Sequence, residues 1–302
     1  AFIIARNDAS VETLGELGVA ATSGTDTAWT FDPAPPEVGQ ALLKKAGWDG
    51  ETPILAICPI NPFWWPVRPD LMKKSVDMFS DIYTSENYSS IYYHQYSEDD
   101  RDYFESYIQD IASAIKAFSE ETDVFPVLIG MERLDRQACE AITSQIGNHV
   151  PVFVSDDYMM HDLISVLRQS DFLISSRFHA IVLSMASGVV SGGITMDERI
   201  RNLMIERDHE HLLLNVSDSD LGEKLLALLR TMRDQKESIK QDILKTVPRQ
   251  LKAMGEMGRC FSHEVQNHYR GFEPKCTNQS WENFLPELSP QLINLLERYE
   301  PE

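Results

Sequence analysis

Positive charge is scarce in this chain of 302 residues: 27 lysines and arginines face 47 aspartates and glutamates, for a formal net charge of −20. A general nucleic-acid binder needs a basic face to neutralise phosphates, so this balance excludes that class. Any anionic ligand must be held by local cations. Cysteine is as sparse, and Cys58, Cys139, Cys260 and Cys276 are scattered, with no CxxC pair and no histidine at metal-ligand spacing. That argues against structural zinc or a disulfide framework, and for a reduced, cytoplasmic compartment. No run reaches the ~20 apolar residues of a membrane span. There is no internal repeat and no low-complexity tract, and we expect no secretory signal peptide at its start. Phe2-Ile3-Ile4-Ala5 already reads as a buried strand, so we expect an upstream segment of the first domain to precede it.

What is present is the mixed pattern of an α/β protein, 43% hydrophobic. After a strand at Phe2–Ala5, a helix over Val11–Leu17 and a Pro-rich stretch at Pro33, Pro35 and Pro36, a new unit begins with the apolar run 53–57. Helical periodicity over 102–118, 135–146 and 160–167 alternates with strand-like runs at 124–129, 151–154 and 172–174, which predicts a parallel, doubly wound sheet. Beyond Leu214 the pattern turns helical, over 221–232 and 239–263, and 271–281 is loop-like. A last helix should be capped by Ser289 with Pro290 in its first position. The loop after residue 58 carries Phe63, Trp64 and Trp65 between prolines, with Arg68 nearby. Those rings suit stacking on a sugar face or contact with lipid, and equally the covering of a core.

The richest segment is Asp171–Arg199, DFLISSRFHAIVLSMASGVVSGGITMDER. Phe172, Leu173 and Ile174 form a short strand, and Ser175 or Ser176 can cap the helix continued by Ala180, Ile181, Leu183 and Met185. A helix N-terminus above a strand end favours an anion; Arg177 adds a planar two-pronged donor and His179 a proton carrier. A second run, Val189–Ile194, ends in Thr195-Met196-Asp197-Glu198-Arg199. Two strand ends would share one crevice, where open parallel sheets bind ligands.

These residues resemble the polysaccharide pyruvyl transferases, whose signature is a Ser-x-Arg-Leu-His strand-to-helix turn followed, after a Gly-Val segment, by Asp-x-Lys. The chain has Ser175-Ser176-Arg177-Phe178-His179, Gly188-Val189 and Asp197-Glu198-Arg199. A second element of the family is matched by Arg6, Ser10, Leu14, Leu17, Gly18, Val19, Asp26 and Ala28. The departures are Asn7 for Asp, Phe178 for Leu, expected to alter packing alone, and Arg199 for Lys, which keeps charge and changes geometry. The resemblance spans roughly Phe2 to Leu214.

It implies a glycosyltransferase-B-like pair of Rossmann-like domains, the first incomplete: 1–48 as its end and linker, 49–225 as the second domain, 226–302 as a helical extension. The implied reaction moves pyruvate from phosphoenolpyruvate onto a sugar of a cell-surface glycan or its lipid-linked precursor, forming a ketal without cofactor or metal. Arg6, Arg177 and Arg199 would hold carboxylate and phosphate, and His179 would protonate the methylene carbon. Ser175, Ser176, Phe178, Asp197, Asp8, Trp64 and Trp65 would contact substrate, with Asp8 and Asp197 the candidate bases. Such an enzyme would be cytoplasmic, with peripheral membrane association allowed. Two other readings stay open, a nucleotide-sugar glycosyltransferase and an inactive glycan-binding relative. Against the first, Gly192-Gly193 sits within a strand-like run, not before a helix as a diphosphate loop would.

Overall fold

The computed structural model describes residues 2–64, 66–95, 97–147, 150–269, 271 and 280–299. Trp65, Cys276 and most of the loop expected over 271–281 lie outside the described residues. Six strands form a parallel sheet: β3 (Ile54–Cys58), β7 (Phe125–Gly130), β8 (Val152–Val154), β9 (Phe172–Ser175), β10 (Val190–Thr195) and β11 (Leu213–Asn215), in the spatial order β11-β10-β9-β3-β7-β8. β3, β9 and β10 are buried along their whole length, as their unbroken small and apolar sequences require. The chain winds from β3 one way through β7 and β8, and the other way through β9, β10 and β11. This is the Rossmann order, with its switch point between β3 and β9.

Right-handed crossovers then place the connecting helices of the two halves on opposite faces. α4 (Glu98–Glu121) and α5 (Asp135–Ile146) pack together on one side, where α9 (Leu221–Asp234) joins α4. On the other, α7 (Phe178–Met185) meets α6 (Met160–Leu167), which packs on α2 (Pro36–Lys45), and α10 (Lys236–His268). α8 (Glu198–Glu206) lies against β10, and α11 (Pro290–Arg298) against α10. Ahead of the sheet, β1 (Ile4–Ala5) pairs in parallel with β2 (Thr22–Ser23) around α1 (Asp8–Glu16). No helix among the described residues is long and apolar enough to cross a membrane.

Several local expectations shift for identifiable reasons. α4 starts before residue 102 because Ser97 and Asp100 form a reciprocal capping box. α1 starts at Asp8, since the Asn7 side chain accepts from the Ser10 amide. Neither Ser175 nor Ser176 caps α7. Arg177 occupies the cap position, and Ser175 Oγ accepts from the Arg177 amide and donates to its carbonyl, fixing the turn from within. Ser289 and Pro290 do open α11, although the Ser289 side chain makes no cap hydrogen bond. An antiparallel sheet of β4 (Val67–Pro69), β6 (Tyr92–His94) and β5 (Asn87–Ser89), with α3 (Leu71–Asp77) between β4 and β5, went unanticipated, because strands of three residues show no alternation to read.

Candidate active site

The carboxyl ends of β3 and β9 are tied together where Cys58 pairs with Ser175 and the Ser176 amide donates to the Cys58 carbonyl at 3.0 Å. From this switch point Arg177 turns toward α5. Its Nε donates to both oxygens of Asp135, at 3.0 and 3.2 Å, and its Nη2 donates to Glu132 at 3.0 Å and again to Asp135. Burial lifts the Asp135 carboxyl above its ordinary value despite the guanidinium. Burial pulls Arg177 down, and its bonds to Asp135 and Glu132 outweigh that, leaving it raised. Arg177 is therefore a clamped, permanently charged group, and Nη1 is the nitrogen left to meet a ligand.

Arg199 is held by its own neighbour. Asp197, the N-cap of α8, accepts from the Arg199 amide at 2.9 Å and from the guanidinium at 2.9 and 2.6 Å. These bonds overcome the burial that would raise the carboxyl, and they lower it. A cavity of about 280 Å³ runs from Ser176 and Arg177 past Asp197 and Arg199 to Trp64, Tyr88 and His94. Trp64, nearly covered, packs its ring 4.5 Å from that of His94, whose Nδ1 lies 2.7 Å from the Trp64 carbonyl oxygen. Burial lowers the His94 pKa, so a neutral imidazole borders this cavity.

A narrow second hollow opens on the other side of Arg199, lined by Arg6, Asn7, Asp26, Trp29 and Phe178. Its hub is Asp26, which accepts from Arg6 Nη1 at 3.1 Å and from the Ala28 amide at 2.9 Å, and lies 3.5 Å from His179 Nε2. His179 first, with Ala28 and Arg6 following, holds the Asp26 carboxyl down at about 2 against the effect of burial. The carboxylate orients His179 by Nε2 and leaves Nδ1 to exchange a proton. Arg6 stacks over the Phe178 ring, 5.2 Å from its centroid. The phenylalanine thus does more than pack, since leucine offers no ring face to a cation.

The structure therefore brings Arg6, Phe178, His179 and Arg199 together around Asp26, and Ser176, Arg177, Asp197, Arg199 and Trp64 around the adjoining cavity. Other candidates stand apart. Asp8 accepts from Ser23 Oγ and lines neither hollow, Ser175 is buried behind the turn, and Phe63 packs on Tyr103 and Tyr107. Asn7 keeps the helix cap that an aspartate would supply. Asp26, Asp135, Glu132 and His94 were missed as site residues. Asp26 alone left a signal, as a matched position of the family pattern. Among the described residues no group of three His, Cys, Asp or Glu side chains could hold a metal ion.

No curated protein matches the chain. Residues 1–198 match the family model for polysaccharide pyruvyl transferase.

Proposed function

The chain belongs to the polysaccharide pyruvyl transferase family, and from that premise we propose that it forms a pyruvate ketal on a sugar, with phosphoenolpyruvate as donor. The observation that carries the proposal is the position of Arg199 between the Arg177 cavity and the Asp26–His179 pair. Cations held from both sides suit a ligand bearing carboxylate and phosphate on one carbon. An acceptor hydroxyl adds to C2 of the donor as His179 delivers a proton to the methylene carbon, and the hydroxyl's own proton restores the imidazolium. A second hydroxyl then displaces phosphate from C2, closing the ketal and leaving inorganic phosphate. The fixed arginines offset charge without reorganising during the reaction. Asp197, engaged by Arg199, acts here as a positioning residue. The glycosyltransferase-B-like pairing of two sheets belongs to the same reading.

For the acceptor we favour a glycan on a lipid carrier. Leu71, Met72, Met78, Phe79 and Ile82 are all largely exposed on and after α3, in the segment between β4 and β5. Tyr88 on β5 lines the cavity, so this apolar group belongs to the lobe that borders it. The chain should float with zwitterionic vesicles, and failure to do so would remove the peripheral-membrane element. The donor is tested by calorimetric titration with phosphoenolpyruvate and with nucleotide sugars, comparing the native chain with Arg199→Ala, whose exposed side chain can be removed without burying an orphan charge. Phosphoenolpyruvate binding that weakens at least tenfold in the variant supports the reading. Binding of a nucleotide sugar alone would replace it with glycosyl transfer, and binding of neither would favour an inactive relative.

A further inference from the structure

At the far end of α8 from Arg199 lies a separate cavity of about 510 Å³, bordered by Arg207, Asp208 and His209 on one side and Asp242, Lys245 and Arg249 of α10 on the other. Arg207 follows Arg199 by eight positions, most of them helical, a distance of ~12 Å at ~1.5 Å per residue. Arg207 also bonds to Ser191, near the amino end of β10, whereas the candidate active site lies beyond the carboxyl end of that strand.

Arg207 is 2% exposed and forms no ion pair among the described residues. Its Nη1 donates to Ser191 Oγ at 2.8 Å and its Nη2 to the Ser191 carbonyl, while its buried Nε has no hydrogen-bond partner. The C-terminal dipole of α8 favours a cation there but supplies no acceptor to Nε. His209, 4% exposed, likewise has a buried Nδ1 without a partner. A buried cation without a counter-ion is costly, and a buried polar atom left unbonded adds to that cost. Lys245 and Arg249 stand one helical turn apart on α10 and bring two further positive charges to the same opening, Lys245 pairing there with Asp242 at 3.3 Å.

Three cations and an imidazole match a phosphate dianion. The two carboxylates present, Asp208 and Asp242, would repel it and are instead suited to accept from hydroxyl groups. The cavity is also far larger than inorganic phosphate requires. We propose that this cavity binds a phosphorylated sugar, its phosphate ester against Arg207, His209, Lys245 and Arg249 and its hydroxyls on Asp208 and Asp242. The site is distinct from the donor site and does not depend on the function proposed for it.

The test is calorimetric titration of the full chain with a hexose 6-phosphate, inorganic phosphate and the unphosphorylated hexose. It is repeated on Arg199→Ala and on the double variant Lys245→Ala/Arg249→Ala, whose exposed side chains can be truncated with the melting temperature as a control for folding. The expected result is hexose 6-phosphate binding at least tenfold tighter than inorganic phosphate, none by the free hexose, a loss of tenfold or more in the double variant, and no change in Arg199→Ala. Absence of hexose 6-phosphate binding, or binding that survives in the double variant and is lost in Arg199→Ala, would overturn the site. Equal affinity for inorganic phosphate would overturn the sugar.

Discussion

At Asp26 a single carboxylate accepts from Arg6 and the Ala28 amide and orients His179, and its pKa falls from 3.8 to about 2. Because the folded-state value is depressed, the associated stabilisation is fully present above about pH 4 and is lost as pH falls toward 2. Asp26→Asn should therefore lower stability at neutral pH and flatten the acid limb of urea midpoints within that window. It should also reduce turnover on the order of 10²-fold with a smaller change in KM for the donor, because the imidazole loses its orienting partner while the arginines remain. Loss of KM alone would make Asp26 a binding group only. His209 carries the same sign in a higher window. Burial first, then the Arg207 charge, lower its pKa to about 4, so the unfolded chain takes up a proton near pH 6.5 while the folded chain waits until about 4. Stability should fall as pH drops through that interval, and His209→Gln should shrink the fall in melts recorded from pH 7 to 4.

The element that sets Arg199 in place is β10, and its two glycines decide how closely helices approach it. A Cβ at Gly193 would come within 2.5 Å of Ile200 Cγ2 on α8, and one at Gly192 within 2.7 Å of Leu228 Cδ2 on α9. Gly193→Ala should push α8 outward, cost about 1–3 kcal/mol by overpacking and weaken donor binding through Arg199. Gly192→Ala, pressing on α9, should cost similar stability with less effect on binding. Calorimetry on the two variants separates these outcomes. Such elements differ in how far they can be read in advance. β3, β9 and β10 declare themselves because a strand buried on both faces must be apolar or small throughout, and the turn at Arg177 follows from the end of β9. The ion pairs that tune this turn are illegible, since Asp135 lies 42 residues before Arg177 and Asp26 far earlier still. Nothing local distinguishes Asp135 from the other acidic residues of the chain, and Asp26 is marked by the family pattern alone. The three-residue strands β4, β5 and β6 are silent for a simpler reason: no period fits in so few residues.

On the scale of the whole molecule, α10 reaches back to the beginning of the chain. The Thr25 amide donates to Met257 Sδ at 2.9 Å, Thr25 Oγ1 donates to Gln250, and Trp29 Nε1 donates to Thr25 Oγ1 at 2.8 Å. The segment 24–29, with Asp26 in it, is therefore backed by a helix that follows it by more than two hundred residues. α10 also buries Ile239, Ile243, Leu244, Val247 and Leu251 in the common core. Exposing those side chains at roughly 1.5–3 kcal/mol each is comparable to the entire net stability of an ordinary domain, about 5–15 kcal/mol. A chain ending at Gln235 should accordingly lose cooperative melting and donor binding together, in scanning calorimetry and titration of the same sample. If the shortened chain instead melted cooperatively and bound phosphoenolpyruvate with native affinity, the Asp26–His179 pair would have to be held by β1, β2 and α7 alone. In that case α10 would be an appendage to the site, and the contacts of Met257 and Gln250 with Thr25 would have no part in setting its geometry.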